Sequence, residues 1–224
     1  MRYIDKSNRC VEFDTWVTED KPENWRDFPK YPTDVKHVLH NHLWREQQGL
    51  CVYCQQAIPE KKTAQSSEQI RSHIEHIRPR SLPKYSGLTF DYSNLSVSCQ
   101  GFDCAATGKP KQEFCEHRKA NEYDENLFLH PVEQQDIEDH FEYNVIGEIY
   151  PNPSKSESEQ QKANYMIKIL ALNHKTLTQL RARAAQVFNG NREQISGVLN
   201  PNDVLLPEFY SMLKFLFPIK KESE

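Results

Sequence analysis

No stretch of this sequence approaches the roughly 20 consecutive apolar residues that span a bilayer. The opening MRYIDKSNRC also lacks the apolar centre of a secretory signal. Both absences disfavour a membrane or exported protein, and the cytoplasm is the expected location. Cysteine is too sparse and too clustered for a secreted disulfide framework, with six in 224 residues. In a reducing compartment such thiols point instead to metal. An excess of positive charge is missing too: the net charge of −4 argues against a protein that coats nucleic acid by overall attraction. Hydrophobic residues make up 37% and mean hydropathy is −0.81, so a soluble chain is expected. Neither an internal repeat nor a low-complexity tract occurs.

What the sequence does hold is a central stretch, 71–121, where acids, imidazoles, an amide and thiols recur. Just upstream, Cys51 and Cys54 stand two residues apart, so one tight knuckle offers two sulfurs to one tetrahedral ion at about 2.3 Å each. Cys99 and Cys115 are the preferred second pair, with Cys104 as a rival for either place. A closed four-thiolate site of this kind is structural. Between the pairs, Ser72, His73, Ile74, Glu75, His76, Ile77, Arg78 and Pro79 alternate in polarity, which predicts a strand ending near the proline. On a strand Glu75 and His76 point to opposite faces unless the backbone bends there. Cations gather around this stretch, namely Arg71, Arg78, Arg80, Lys84, Lys109, Lys111, Arg118 and Lys119, while the region from 133 to 159 is acidic. Any phosphate contacts are expected to gather here; the plainer reading of these cations is a solvated face.

Around this centre the elements read as follows. Residues 1–31 form an arm with little periodicity, anchored by Trp16, Trp25 and Phe28. A helix is predicted over 32–48, capped by Thr33, with Val35, Val38, Leu39, His42 and Leu43 on one face and Gly49 as its stop. His37, His40 and His42 receive no role. Residues 59–69 form a polar loop, and 100–114 form a loop suited to clamping substrate. A hairpin turns near 144–147, closed by Pro151 and Pro153, and a hinge covers 152–158. Capping boxes at Ser158/Gln161 and Thr176/Gln179 open two amphipathic helices. A last helix, 207–217, is apolar nearly all round and needs cover from this chain or from a partner.

Taken together, Cys51-x-x-Cys54, Glu75-His76-Ile77-Arg78-Pro79, Asn94-Leu95, Cys99 and Cys115-Glu116-His117-Arg118-Lys119 resemble the HNH endonuclease family. MRYIDK, IEHIRPRS, LTFDYSNL, FEYNVIGEIYP and ILALNHKTL extend the resemblance to the HNH nuclease subunit of Septu-type and retron-associated antiphage defence systems. The resemblance implies an α+β fold, mainly helical, with a central zinc-braced ββα-metal hairpin-helix motif and a C-terminal helical region. It also implies His76 as the general base, Glu75 and His117 as ligands of a catalytic Mg²⁺ or other divalent cation, and Asn94 as the amide bracing the loop. Glu116, which directly follows the last cysteine, remains open as the ligand in place of His117. Implied partners are a nucleic-acid substrate, DNA ahead of RNA, an SMC/ABC-type ATPase and a retron reverse transcriptase complex.

Three segments are expected: an N-terminal arm and helix at 1–50, a zinc-braced nuclease core at 51–125, and a hairpin with helices at 126–224 that offers a partner-docking surface. The competing class is a catalytically silent zinc-braced module that binds nucleic acid or an ATPase.

Overall fold

In a computed structural model, residues 1–29, 34–60, 72–101, 113–189, 199–200, 202 and 204–218 are described. The N-terminal arm holds a helix, α1 (Val11–Asp20), which its pattern conceals because only Phe13 and Trp16 are buried. It ends at Lys21, which lies in the left-handed region at φ 48°.

Helix α2 (Val35–Glu46) buries Val35, Leu39, His40, Leu43 and Trp44. Its cap is Asp34, whose side chain accepts from the His37 N–H; the expected cap, Thr33, lies outside the described residues. The helix passes into Gln47, whose buried amide acts as a short piece of strand. It donates to Leu50 O and Val97 O, both at 2.8 Å, and accepts from Val97 N at 2.6 Å. Backbone groups on an open strand edge must be paired somewhere, and here this side chain does it together with Val52 N, which donates to Val97 O at 3.1 Å. The end of α2 is thereby fixed against the strand below.

That strand is β2 (Leu95–Cys99), paired antiparallel with β1 (Ser72–His76) in a register from Ser72 opposite Cys99 to His76 opposite Leu95. Leu95 and Val97 are fully buried. Short helix α3 (Cys115–Lys119) packs on β2 and on the later helix at Glu157–Ile169. A second hairpin, β3 (Phe141–Tyr143) with β4 (Ile149–Pro151), turns through 144–147. The chain is thus mixed α and β, with two small two-stranded sheets among the described residues.

Helix α4 (Glu157–Ile169) opens on a capping box formed by Ser156 and Glu159, two residues earlier than the Ser158/Gln161 box expected from sequence. The nearby Ser158 invites the error, but the Glu159 carboxylate can both cap and meet the positive end of the helix, which a neutral Gln161 cannot. Helix α5 (Lys175–Asn189) likewise begins ahead of the expected Thr176 cap, with the His174 ring accepting from Thr176 N at 3.2 Å. Helix α6 (Tyr210–Leu216) buries Tyr210, Ser211, Met212 and Leu213 against β3 and α5, leaving Phe215 44% exposed. Ser211 bonds Gln55 and Glu138, and the Lys214 ammonium lies 2.5 Å from Glu138. Buried side chains from Met1 to Leu213 form one continuous cluster through all three expected segments. Among the described residues, no helix is long and apolar enough to cross a membrane.

The turn of the second hairpin depends on one glycine. Gly147 sits at φ +85° with its face against α5, where an added Cβ would lie 2.0 Å from Thr178 O and 2.9 Å from Ala182 N. The Arg181 guanidinium, itself buried, donates to Gly147 O at 3.1 Å. Both the left-handed backbone and the close approach exclude a side chain. Gly147→Ala is expected to cost about 2–4 kcal/mol of stability, measured as a lower urea midpoint at an unchanged slope.

Candidate functional site

Cys51, Cys54, Cys99 and Cys115 are all buried, and their sulfurs all lie within 4.8 Å of one another. The first two are presented by a knuckle in which Gln55 takes φ 62° and its N–H bonds Cys51 O at 3.1 Å. Backbone N–H groups point at the sulfurs: Cys99 N lies 3.3 Å from Cys51 Sγ and Gln56 N lies 3.5 Å from Cys54 Sγ. The Cys54–Cys99 sulfur separation is 3.7 Å. A disulfide needs about 2.0 Å, whereas ligands at about 2.3 Å on tetrahedral zinc stand about 3.8 Å apart. The donor set therefore fits zinc. Four thiolates crowded together without a cation repel. The Cys51 thiol is lowered by bonds from its three neighbours against the effect of burial, while burial and those same contacts raise Cys115. Cys104, the rival ligand, lies outside the described residues.

A second group forms where β1 faces α3. His73 Nε2 is 3.0 Å from Glu116 Oε2, which is 2.6 Å from His117 Nδ1, and the three ligand atoms lie within 4.8 Å of one another. The His73 and Glu116 atoms are buried, and their short contact lacks hydrogen-bond alignment. Three ligand atoms that converge on one point in this way are arranged as metal ligands are. Burial pushes the Glu116 carboxyl up, yet its contacts with the two histidines hold it below the ordinary carboxylate range; that same carboxylate raises His73 against its own burial.

Glu75, expected to share an ion with His117, is absent from this group. Its buried carboxylate accepts from Tyr53 OH at 2.8 Å and from Lys119 Nζ at 3.0 Å. Burial raises its pKa, and Lys119 opposes that rise. His73, two residues earlier on the strand, therefore shares its face and stands in the group in its place. That signal was present in the sequence, in the period of two within His-Ile-Glu-His.

His76 leaves the strand on the other side. Its ring packs edge-on against Trp25, with centroids 4.3 Å apart, and Nε2 lies 3.0 Å from Thr89 O. It is only 8% exposed, and burial lowers its pKa to about 4. The Lys119 charge acts on both Glu75 and His76. Asn94 holds the segment after β1: its side chain accepts from Arg78 N at 2.8 Å and donates to Arg78 O at 3.1 Å.

Among the described residues, four of the five cations expected to face phosphate are occupied. Lys119 is 1% exposed and bound to Glu75, Arg78 pairs with Glu133 at 2.8 Å, Arg118 pairs with Glu122 at 3.1 Å, and Lys84 pairs with Glu125. Sequence shows the positive charges but not their partners, which arrive from other segments. Arg71, Lys109 and Lys111 lie outside the described residues, as do 102–112 of the expected clamp and 61–69 of the polar loop.

A four-thiol cluster with an adjacent hairpin and short helix, carrying imidazoles, carboxylates and a bracing amide, has the residue types of a metal-dependent hydrolase site. No family model matches the chain. It is 31% identical over 140 residues to the "Retron Vc95 putative HNH endonuclease" of Vibrio cholerae serotype O1 biovar El Tor, covering 62% of this chain and 59% of that protein. It is 29% identical over 198 residues to the "Septu protein PtuB" of Bacillus mycoides strain KBAB4, covering 79% of this chain and 61% of that protein. The chain thus spans about three fifths of the length of these curated relatives. The chain is thus similar to an HNH-type retron protein and to a Septu protein.

Two measurements probe the site. Freshly purified protein is expected to hold one zinc per chain through gel filtration, and Cys54→Ser to lose soluble protein; metal analysis finding no zinc would count against the brace. The second concerns His130, whose ring nitrogens face Arg78 Nη1 at 3.3 Å and Val132 N at 3.3 Å, both donors. Burial lowers its pKa to about 4. Between pH 4 and the ordinary value near 6.5 the unfolded chain binds the proton and the folded one refuses it, so stability falls as pH falls through that window. At roughly 1.4 kcal/mol per pH unit, urea midpoints are expected to drop between pH 7 and 5, and to drop less in His130→Gln.

Proposed function

We propose that this chain is a metal-dependent HNH endonuclease that hydrolyses phosphodiester bonds in nucleic acid, DNA ahead of RNA. In this reading it is the effector of an antiphage defence complex with an SMC/ABC-type ATPase, alongside a retron reverse transcriptase where one is encoded. The observation that carries the reading is the convergence of His73, Glu116 and His117 on one spot where β1 faces α3. The names of the two relatives support the same class. β1, β2 and α3 are then the ββα-metal element, Cys51, Cys54, Cys99 and Cys115 hold the structural zinc, and residues 51–125 form the nuclease core.

His117, Glu116 and His73 would hold the catalytic cation, with Glu75 as the neighbouring carboxylate. Two imidazoles in the set suit a transition ion such as Mn²⁺ or Zn²⁺ better than Mg²⁺, which prefers oxygen ligands. A divalent cation there supplies positive charge to the phosphate oxygens and to the leaving oxygen. The chain's own residues do the rest. Thr89 O only accepts, so Nε2 of His76 carries the proton and Nδ1 keeps the lone pair. Burial holds the ring neutral, which leaves Nδ1 able to take a proton from the attacking water. Asn94, by gripping both backbone groups of Arg78, keeps the turn after His76 from shifting. Lys119 holds the Glu75 carboxylate in place.

The second reading, a silent binding module, is favoured by two facts: Glu75 is already paired with Lys119, and His76 is mostly covered. Titration with Mn²⁺, Zn²⁺ and Mg²⁺ on plasmid and structured RNA, with and without the ATPase, separates the two. Binding without cutting under every condition leaves only the module. For the enzyme, His76→Ala is expected to lower metal-dependent cleavage at least about 100-fold with zinc content and circular dichroism unchanged. Cutting at the parent's rate would overturn the assignment.

A further inference from the structure

We infer that Lys36 and Arg80, held over the ring of Trp25, form a phosphate-binding subsite for the nucleic-acid strand beside His76. The placement next to the reacting bond rests on the nuclease reading of His76; the binding of phosphate does not.

The indole of Trp25 is where several elements meet. Phe28 lies edge-on at 4.9 Å and Phe90 roughly parallel at 5.8 Å, while the His76 ring closes the group at 4.3 Å. Two cations from separate parts of the chain converge on this ring. Lys36 Nζ, from the first turn of α2, lies 5.6 Å from its centroid, and Arg80 Cζ, from the segment after β1, lies 5.8 Å away. Both are exposed. Unlike Arg78, Lys84, Arg118 and Lys119, neither has a carboxylate within 4 Å among the described residues.

Such an arrangement is unfavourable on its own. Each cation gains from the face of the indole, but the two charges repel. Burial lowers the Lys36 pKa, Asp34 opposes this, and the Arg80 charge lowers it further. An anion set between them turns that repulsion into two attractions. Its chemistry follows from its neighbours. A group beside a nuclease base that presents two cations next to aromatic rings suits a phosphodiester, whose adjoining base or sugar can lie against Trp25 and Phe90. Lys36 and Arg80 would then bind a phosphate flanking the one that is cut, setting where the strand lies relative to His76. Sequence reasoning placed Arg80 in a general basic region and assigned Lys36 nothing. Only folding brings the two to one ring.

The test uses the full chain and fluorescently labelled 30-nucleotide DNA, single-stranded and duplex, followed by anisotropy in buffer without added divalent ions. The Lys36→Ala/Arg80→Ala double variant is expected to bind at least about tenfold more weakly at low salt. The slope of log affinity against log salt should fall by about 0.7–0.9, as the loss of one neutralised phosphate requires. Arg118→Ala, which removes a cation already paired with Glu122, is expected to match the parent in both. Melting temperatures confirm that the double variant is folded. Parent-like affinity and slope in that variant overturn the subsite, as does a parent that binds neither DNA. Cleavage by His76→Ala is run in parallel. If His76→Ala cuts like the parent while the double variant binds weakly, the nuclease reading falls and the subsite stands; the converse pair of results rejects the subsite alone.

Discussion

Four buried sulfurs packed within 4.8 Å of one another set the terms for this structure. They come from three distant places, the knuckle at 51–54, the end of β2 and the start of α3, the first two also tied by the bond from Val52 N to Val97 O at 3.1 Å. The space cannot hold four charges without a cation, and neutral thiols in a pocket aimed by backbone N–H groups would gain little from the arrangement. A tetrahedral ion of the kind proposed would resolve both problems. Its consequence lies one residue away: Cys115 and Glu116 are neighbours, so clasping the first delivers the second, and then His117, to the face of β1 where His73 and Glu75 stand.

The hairpin divides the chemistry between two faces. On one, the partly exposed His73, Glu116 and His117 stand beside the buried Glu75, Tyr53 and Lys119 in a polar layer. On the other, His76 lies under Trp25, against an aromatic group drawn from the N-terminal arm and from Phe90. The two faces are joined electrostatically by Lys119, whose charge bears on both Glu75 and His76. Asn94 fixes the exit from β1, so the geometry at the strand end is held by a side chain, while the ladder stops at His76. Gln47 does the corresponding work on the far edge of β2.

Much of this was legible in the residues. The helix over α2, the strand at 72–76 and the hairpin turn at 144–147 follow from periods and turn signals that act over a few residues. Errors arose where one local signal had a near twin. Ser156 and Ser158 both offer a cap, and the carboxylate three residues after the first decided between them. In the arm, two buried aromatics were too few to reveal α1. The cations around the motif read as free because their partners Glu133, Glu125 and Glu122 lie outside the motif proper.

By itself the sequence determined which chemical groups are available and on which side of each element they stand. Alternation put His73 with Glu75 and His76 opposite, and the thiol spacing defined a knuckle. Tertiary structure alone decided which of those groups meet. It gave Glu75 to Lys119 and Tyr53, placed His73 with Glu116 and His117, and laid Trp25 over His76 with Lys36 and Arg80 above it. The reason is distance along the chain: helical and strand periods specify direction within one element, whereas contacts between residues 40 or more apart depend on how whole elements pack, and that is settled only when the core and its four sulfurs come together.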